Sequence, residues 1–320
     1  MQLRTALIGR GMAATVFHAP LIRASEALEL VAMAGRDGAA EAMADPSVDI
    51  VVIATPNASH AELARTALEA GKHVVVDKPF TLSVAEADAL IRLAGERRRM
   101  LTVFHNRRWD GDFLTVRRLI GSGRLGEVAL FEAHWDRFRP VVQRRWREDA
   151  EQGAGLLWDL GPHLIDQALV LFGPPDAVAA DVAAQRDEAR ADDYFDVTLH
   201  YGPRRVRLSA STLVAEPRPR FAVHGRGASF VKFGLDPQEA ALRDGADPRH
   251  PGFGLDPLDG RLGAEAVPTE PGRYLAFYEG VAAAIRDGAA PPVDPADARE
   301  GLRLIELARR SAAEGRRLPA

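Results

Sequence analysis

The sequence predicts an α/β fold joined to an α+β fold. The first is an N-terminal Rossmann-type, doubly wound parallel sheet; the second is a C-terminal domain on a large, mostly antiparallel open sheet. Three observations predict this. Up to about residue 105, short β-branched runs alternate with alanine-rich helical stretches, and continuous apolar strands separated by helices imply a parallel sheet buried on both faces. After Asn106 the strands alternate polar and apolar residues, as a sheet with one covered face does. The chain has 320 residues, 47% of them hydrophobic, enough for two cores. The expected domains are 1–105 and 106–320.

In chain order, "TALIG" (5–9) is a strand, followed by a helical segment to about Ser25 and the strand "ELVAMA" (29–34). "VDIVVIATP" (48–56), a helix from Ser59 to Ala70, "HVVVDKP" (73–79), a helix from Val84 to Arg97 and "LTVFHN" (101–106) complete the first pattern. One stretch does not fit. A full doubly wound domain needs a helix, a strand and another helix between Ala34 and Asp49, and only "GRDGAAEAMADPSV" is available. Such a stretch links two parallel strands by one helix but holds no extra strand. Either a βα unit has been lost or residues are missing there, so the sheet is short or incomplete between its second and fourth strands.

The second half reads as strands at 127–138, 193–202, 204–214, 220–225 and 229–234, with helices at about 155–172, 272–287 and 296–315. The uncovered face of this sheet is expected to meet solvent or a second copy, giving a homodimer or higher homo-oligomer.

Composition narrows the function. A net charge of −4 gives no positive field for nucleic acid or an anionic membrane, and no apolar run approaches the roughly 20 residues a membrane helix needs. The absence of cysteine removes thiolate chemistry and fits a reducing cytoplasm. With no signal-like start, a cytoplasmic protein with a small-molecule partner is expected.

"IGRGMAA" places Gly9, Gly11 and Ala14 as G-x-G-x-x-A after the first strand and before a helix. Glycines there permit a tight turn and close approach of a pyrophosphate to the helix N-terminus, so a dinucleotide is expected. At the end of the second strand, where NAD enzymes place an acid, stand Gly35 and Arg36. Arginine suits a 2′-phosphate and favours NADP, with NAD possible. The plainer alternative is a solvated Arg36, with Asp37 supplying the acid one step late. "VVVDKPFT" puts Lys78 at the carboxyl end of a buried strand, where open α/β sheets bind ligands.

With these pieces in view, the chain resembles the Gfo/Idh/MocA oxidoreductase family. "GRGMAA", "VVIATPNASH", "AGKHVVVDKPFT", "FHNRRWDGDFLT" and "GLLWDLGPHLIDQALVLFG" carry the likeness, which covers nearly the whole chain. "VFHAPLI", "NRRWD", "DRFRP", "RWRE", "DYF" and "SFVKFGLDPQE" read most like its NADP-dependent scyllo-inositol dehydrogenases. The resemblance implies that Gly9, Gly11 and Ala14 form the phosphate loop and that Thr55, Pro56, Asn57 and His60 line the dinucleotide cleft. It implies that Lys78 lies between nicotinamide and substrate, with Asn106 and Arg107 near the nicotinamide end. Asp159 and His163 become the substrate-binding and proton-transfer pair. One departure is Asp77 in Asp77-Lys78-Pro79, where the family usually has glutamate, one methylene longer.

In "WDLGPHLIDQ", Asp159 and His163 are four apart and share a helix face. Pro162 is tolerated in a first turn, which places the regular helix start near Gly161–Pro162 and Asp159 at or before its N-cap. By itself this is a cap and a core histidine. Beside a nicotinamide site and Lys78 it becomes a proton-transfer pair, since imidazole suits accepting a hydroxyl proton at neutral pH and an ammonium stabilises a developing alkoxide. The histidines and acids lack metal-ligand spacing, so no metal is expected. Asp166 is read as structural, and the choice of base between Lys78 and His163 stays open. The expected activity is NADP-dependent hydride exchange with a secondary alcohol of a cyclic polyol or sugar. The rival readings are an NAD-dependent glycosidase of the same superfamily and a non-catalytic NADP-binding regulator.

Overall fold

A computed structural model describes residues 2–143, 148 and 153–320; of the "RWRE" segment, 145–147 lie outside the described residues. The chain divides into two compact units. The first comprises Met1–Asp110, Pro237–Gly254 and Gly272–Arg299; the second comprises Gly111–Asp236, Leu255–Pro271 and Glu300–Ala320.

In the first unit, strands β1 (Leu3–Ile8), β2 (Leu28–Ala34), β3 (Ile50–Ile53), β4 (His73–Val76) and β5 (Leu101–Val103) form a parallel sheet in the order β2-β1-β3-β4-β5. Helices α1 (Ala19–Ala24), α2 (Ala39–Ala44), α3 (His60–Glu69) and α4 (Val84–Arg97) connect them. Leu7, Val52 and Val75, from three neighbouring strands, share a core with Leu21 and Ile22 of α1 and with Phe277, Tyr278 and Val281 of helix Leu275–Arg286. The alternate residues Val51, Ile53, Val74 and Val76 are equally buried and point to the opposite face. Burial on both faces is why these strands read as unbroken apolar runs.

The expected helix after β1 is not one regular helix. Ala13–His18 is a π-helical turn, with the Ala19 N–H donating to the Ala14 carbonyl five residues back, and α1 follows. Pro20 accounts for the break. Its ring would meet the carbonyl of Val16 in a continuous α-helix and it has no N–H to donate, so the wider turn precedes it.

The short stretch after β2 closes without a further βα unit. A turn at Arg36–Gly38 leads into α2 and then into a tight loop before β3. Within that loop the Val48 N–H donates to the Asp45 carbonyl at 3.2 Å. The buried Lys72 ammonium donates to the carbonyls of Asp45 at 2.6 Å and Val48 at 2.8 Å. No described strand lies beyond β2, which is therefore an edge of the sheet.

The second unit carries helix α5 (Gly111–Gly121), strand β6 (Val128–His134) and helix α6 (Leu156–Phe172). Its further strands are β7 (Ala177–Ala183), β8 (Tyr194–Tyr201), β9 (Arg204–Ser211), β10 (Phe221–Gly225), β11 (Ser229–Lys232), β12 (Gly260–Leu262), β13 (Glu265–Val267) and β14 (Leu318–Pro319). The sheet order is β13-β12-β11-β10-β6-β9-β8-β7-β14, antiparallel throughout except for the parallel pair β6–β9. Alternate residues such as Phe131, Phe195, Val197, Val206, Leu208 and Phe221 are buried, and α6 packs on β8 and β9. The opposite face carries charge at its centre, where Arg207 lies 3.4 Å from both Glu132 and Asp196.

Candidate active site

The glycine loop follows β1. Gly9 has φ +135 and donates to the Ala34 carbonyl at 2.8 Å; a Cβ there would fall 2.2 Å from the Ala54 carbonyl oxygen. Its glycine is thus dictated by the approach of the chain to itself. Gly11 differs, since a Cβ built on it meets nothing within 4 Å. Packing does not require glycine there, whereas close approach of a phosphate group does. Ala14, fully buried at the start of the helical turn, completes the triplet. Arg36 stands one residue past Gly35 at the end of β2, and the Arg10 guanidinium packs over Gly35, with Nε 3.5 Å from the position of a Cβ there. Both arginines are exposed and neither forms an ion pair among the described residues. The glycine loop therefore fits the pyrophosphate of a dinucleotide, with two exposed cations close to it.

Thr55, Pro56 and Asn57 follow β3 at the same carboxyl edge. Ser59 donates its hydroxyl to Thr55 Oγ1 at 2.7 Å. His60 opens α3 fully buried, with Nδ1 2.8 Å from the Pro79 carbonyl and Nε2 3.0 Å from the Thr55 carbonyl. It thus ties the loop after β3 to the loop after β4.

Lys78 is half-buried two residues past β4, and the Lys78–Pro79 peptide is cis. Its backbone N–H donates to Asp77 Oδ1 at 2.9 Å. Burial of Asp77 alone would raise its pKa; His18, Lys78 and His60 outweigh that and hold it below the usual range. The parallel sheet thereby gathers Gly9, Gly11, Thr55, Asn57 and Lys78 at one edge, with the buried Asn106 just beyond β5. Arg107 is instead locked in a buried cluster with Glu239, Asp110 at 3.5 Å and the Tyr274 hydroxyl at 2.5 Å.

Asp159 and His163 belong to the second unit. The regular helix α6 begins at Leu156, so Asp159 lies in its first turn and Pro162 in its interior, not at its start. A distant cap explains the difference. Asp192 accepts the Leu156 N–H with its main-chain oxygen and the Leu157 N–H with its carboxylate, both at 2.7 Å. Gly155, at φ +98, leaves no room for a Cβ, which would lie 2.2 Å from Asp192 Oδ1. Asp159 is half-buried with Arg137 Nη1 3.7 Å from its Oδ2, and the buried His163 ring lies 5.7 Å from that of Trp135. Asp166 is buried on the same helix.

Sequence reasoning did not single out Arg10, Trp135, Arg137 or Asp192. One signal was present for Lys78. Of the 41 Lys and Arg residues three are lysines, Lys72, Lys78 and Lys232. Two of these are buried, Lys72 on backbone carbonyls and Lys232 on the Phe233 carbonyl and Asp256. In a chain that otherwise uses arginine, each lysine marks a place for a compact ammonium.

A parallel sheet with a glycine loop at its first turn, followed by an α/β unit on a large sheet, defines the class of nucleotide-binding oxidoreductases. Residues 36–105 match the profile described as "Oxidoreductase family, NAD-binding Rossmann fold" and residues 117–320 that described as "Oxidoreductase family, C-terminal alpha/beta domain". The chain belongs to the Gfo/Idh/MocA oxidoreductase family. It is 44% identical over 334 residues to the uncharacterized oxidoreductase YdgJ of Escherichia coli, covering 97% of this chain and 96% of that protein. It is 38% identical to the scyllo-inositol 2-dehydrogenase (NADP(+)) IolW of Bacillus subtilis, over 98% of this chain and 95% of that one. Among solved structures, the YPO2259 putative oxidoreductase from Yersinia pestis superposes with a TM-score of 0.95 at 41% identity, covering 100% of this chain and 97% of that one.

Proposed function

We propose that the chain is an NADP-dependent dehydrogenase acting on a secondary alcohol of a cyclic polyol or sugar, of the scyllo-inositol type. The observation that carries the reading is the placement of the glycine loop and Lys78 at one carboxyl edge of one sheet, where open α/β sheets bind ligands. Similarity along 98% of the chain to an NADP-dependent scyllo-inositol dehydrogenase supports the substrate class.

Gly9, Gly11 and Ala14 would hold the pyrophosphate, with Thr55, Pro56, Asn57 and Asn106 along the dinucleotide and His60 fixing the loop that carries three of them. Arg36, joined by Arg10, would meet the 2′-phosphate through charge-assisted hydrogen bonds. Bound nicotinamide supplies the hydride acceptor or donor. Lys78 as an ammonium donates a hydrogen bond to the reacting oxygen and stabilises its developing charge. His163 exchanges the hydroxyl proton, and Asp159, held by Arg137, orients His163 or binds a neighbouring hydroxyl. The chain is further proposed to act as a homo-oligomer in the cytoplasm.

The test is NADPH formation with a panel of inositols and aldose sugars, with NADP and NAD in parallel, for wild type and Lys78→Ala. Turnover on an inositol with NADP, lost by about 100-fold or more in the variant, is expected for a positioned acid–base group. Tight NADP binding without turnover on any member would sink the polyol reading in favour of a regulator. Co-purified cofactor with glycoside cleavage and no net absorbance change would favour a glycosidase.

A further inference from the structure

A line of buried polar side chains in the first unit ends on Lys78 and is used by no step above. His18 closes the π-helical turn and is fully buried, with Nδ1 2.6 Å from the Tyr278 hydroxyl. Its Nε2 lies 3.8 Å from Asp77 Oδ1, the atom that accepts the Lys78 N–H. The His18 ring is wedged against Phe104, at 4.3 Å between centroids.

The chemistry fixes the direction of this line. Burial, with Asp77 nearby, raises the Tyr278 phenol well above its ordinary pKa, so it stays protonated. Among the described residues its hydroxyl has His18 as its one partner, and a buried hydroxyl proton left unpaired is costly. Tyr278 therefore donates to Nδ1. A neutral ring that accepts at Nδ1 carries its proton on Nε2, and Nε2 faces the Asp77 carboxylate. The π-helical turn is what delivers His18 to that place.

We propose that Tyr278, His18 and Asp77 form a buried polar line, hydrogen-bonded from Tyr278 to His18 and electrostatic from His18 to Asp77 at 3.8 Å, that positions Lys78 and holds a carboxylate charge behind its ammonium. These are positioning residues, and the proposal rests on the reading that Lys78 takes part in proton transfer. The titratable groups facing Asp77 are His18 from the helical turn, Lys78 beside it, His60 from α3 and Tyr278 from helix Leu275–Arg286.

Two measurements test it without a substrate. In 15N-histidine NMR near neutral pH, His18 is expected as the Nε2–H tautomer, turning to a mixture in Tyr278→Phe; an Nδ1–H tautomer in the wild type overturns the proposal. In 13C-lysine NMR the three lysines are resolvable, and Lys78→Arg assigns the signal. The Lys78 titration is expected to fall by about one pH unit in Asp77→Asn, since removing an opposite charge disfavours the ammonium. It falls less in His18→Phe, and keeps its wild-type value in Asp77→Glu and in His18→Gln, which retains an N–H toward the acid. An unmoved Lys78 titration in folded Asp77→Asn overturns the proposal; should His18→Phe not fold, Asp77→Asn and His18→Gln carry the comparison.

With a substrate in hand, kcat in Asp77→Asn should fall by about tenfold, part of the roughly 100-fold or more that a positioned acid–base group contributes, with NADP affinity unchanged. The two readings fail separately. If Lys78 responds in the NMR but Lys78→Ala retains turnover, the line stands and the catalytic lysine falls. If Lys78→Ala abolishes turnover but its titration ignores Asp77, the line falls and the catalytic lysine stands.

Discussion

Asp112 shows at the scale of one residue how burial writes a pH dependence. The residue is 1% exposed, and burial pushes its pKa up to about 6 from 3.8 against the opposing pull of Arg220, which lies 3.8 Å away. Asp236 raises it further, while the Phe113 N–H and Lys232 lower it. The folded state thus holds this proton more tightly than the unfolded chain. Its contribution to stability is present below about pH 4 and is lost as pH rises to about 6. In Asp112→Asn that loss should vanish. Thermal unfolding of both proteins between about pH 4 and pH 7 should show the variant gaining on the wild type up to pH 6 and a constant difference above it. A difference that does not change with pH would mean that Asp112 is already ionised throughout. The same scale shows what was legible. The placement of Gly9, Gly11 and Lys78 was readable because it depends on local sequence: a strand end, a turn, a helix start. Trp135 and Arg137 were not, because their relation to α6 exists only once β6 and α6 are packed.

At the scale of elements, the long periodic segments followed from the sequence almost residue for residue. The helix expected at Val84–Arg97 is the helix observed. The charged residues 96–99, at and just past the end of α4, are exposed. Missed elements have physical reasons. β7 is "AVAADVA", which lacks aromatic and most β-branched side chains and owes its strand to pairing with β8 over seven residues. The helix expected at about 155–172 is observed at Leu156–Phe172, whereas the reading of Asp159 as its N-cap fails because the acceptors of its first N–H groups come from Asp192, far along the chain. This gives a prediction. Asp192→Ala removes the acceptor of the Leu157 N–H and should cost about 1–2 kcal/mol of stability, as lost helix caps do. If Asp159 and His163 act as proposed, turnover should fall more than the thermal midpoint explains, because both residues hang from the helix that Asp192 fixes. Unchanged kcat with lowered stability would make Asp192 a purely structural cap.

At the scale of the whole molecule, the open face of the large sheet sets the question of assembly. Its centre carries the Glu132–Arg207–Asp196 ladder, while exposed apolar side chains such as Phe138, Phe233, Leu235 and Leu258 lie outside the strands. Light scattering should give an integer multiple of the chain mass, at least two; a monomer at micromolar concentration would remove the homo-oligomer from the proposed function. No described helix is long and apolar enough to cross a membrane.

The edge position of β2 has a further consequence. With no described strand beyond it, β2 leaves its outer edge unpaired on the side where Arg36 stands. An exposed cation there selects its guest by electrical signature more than by outline. Salt concentration, which blunts charge but not shape, would then become the dial on cofactor choice in this chain. If the chain takes NADP as proposed, its preference for the phosphorylated dinucleotide should weaken as salt rises.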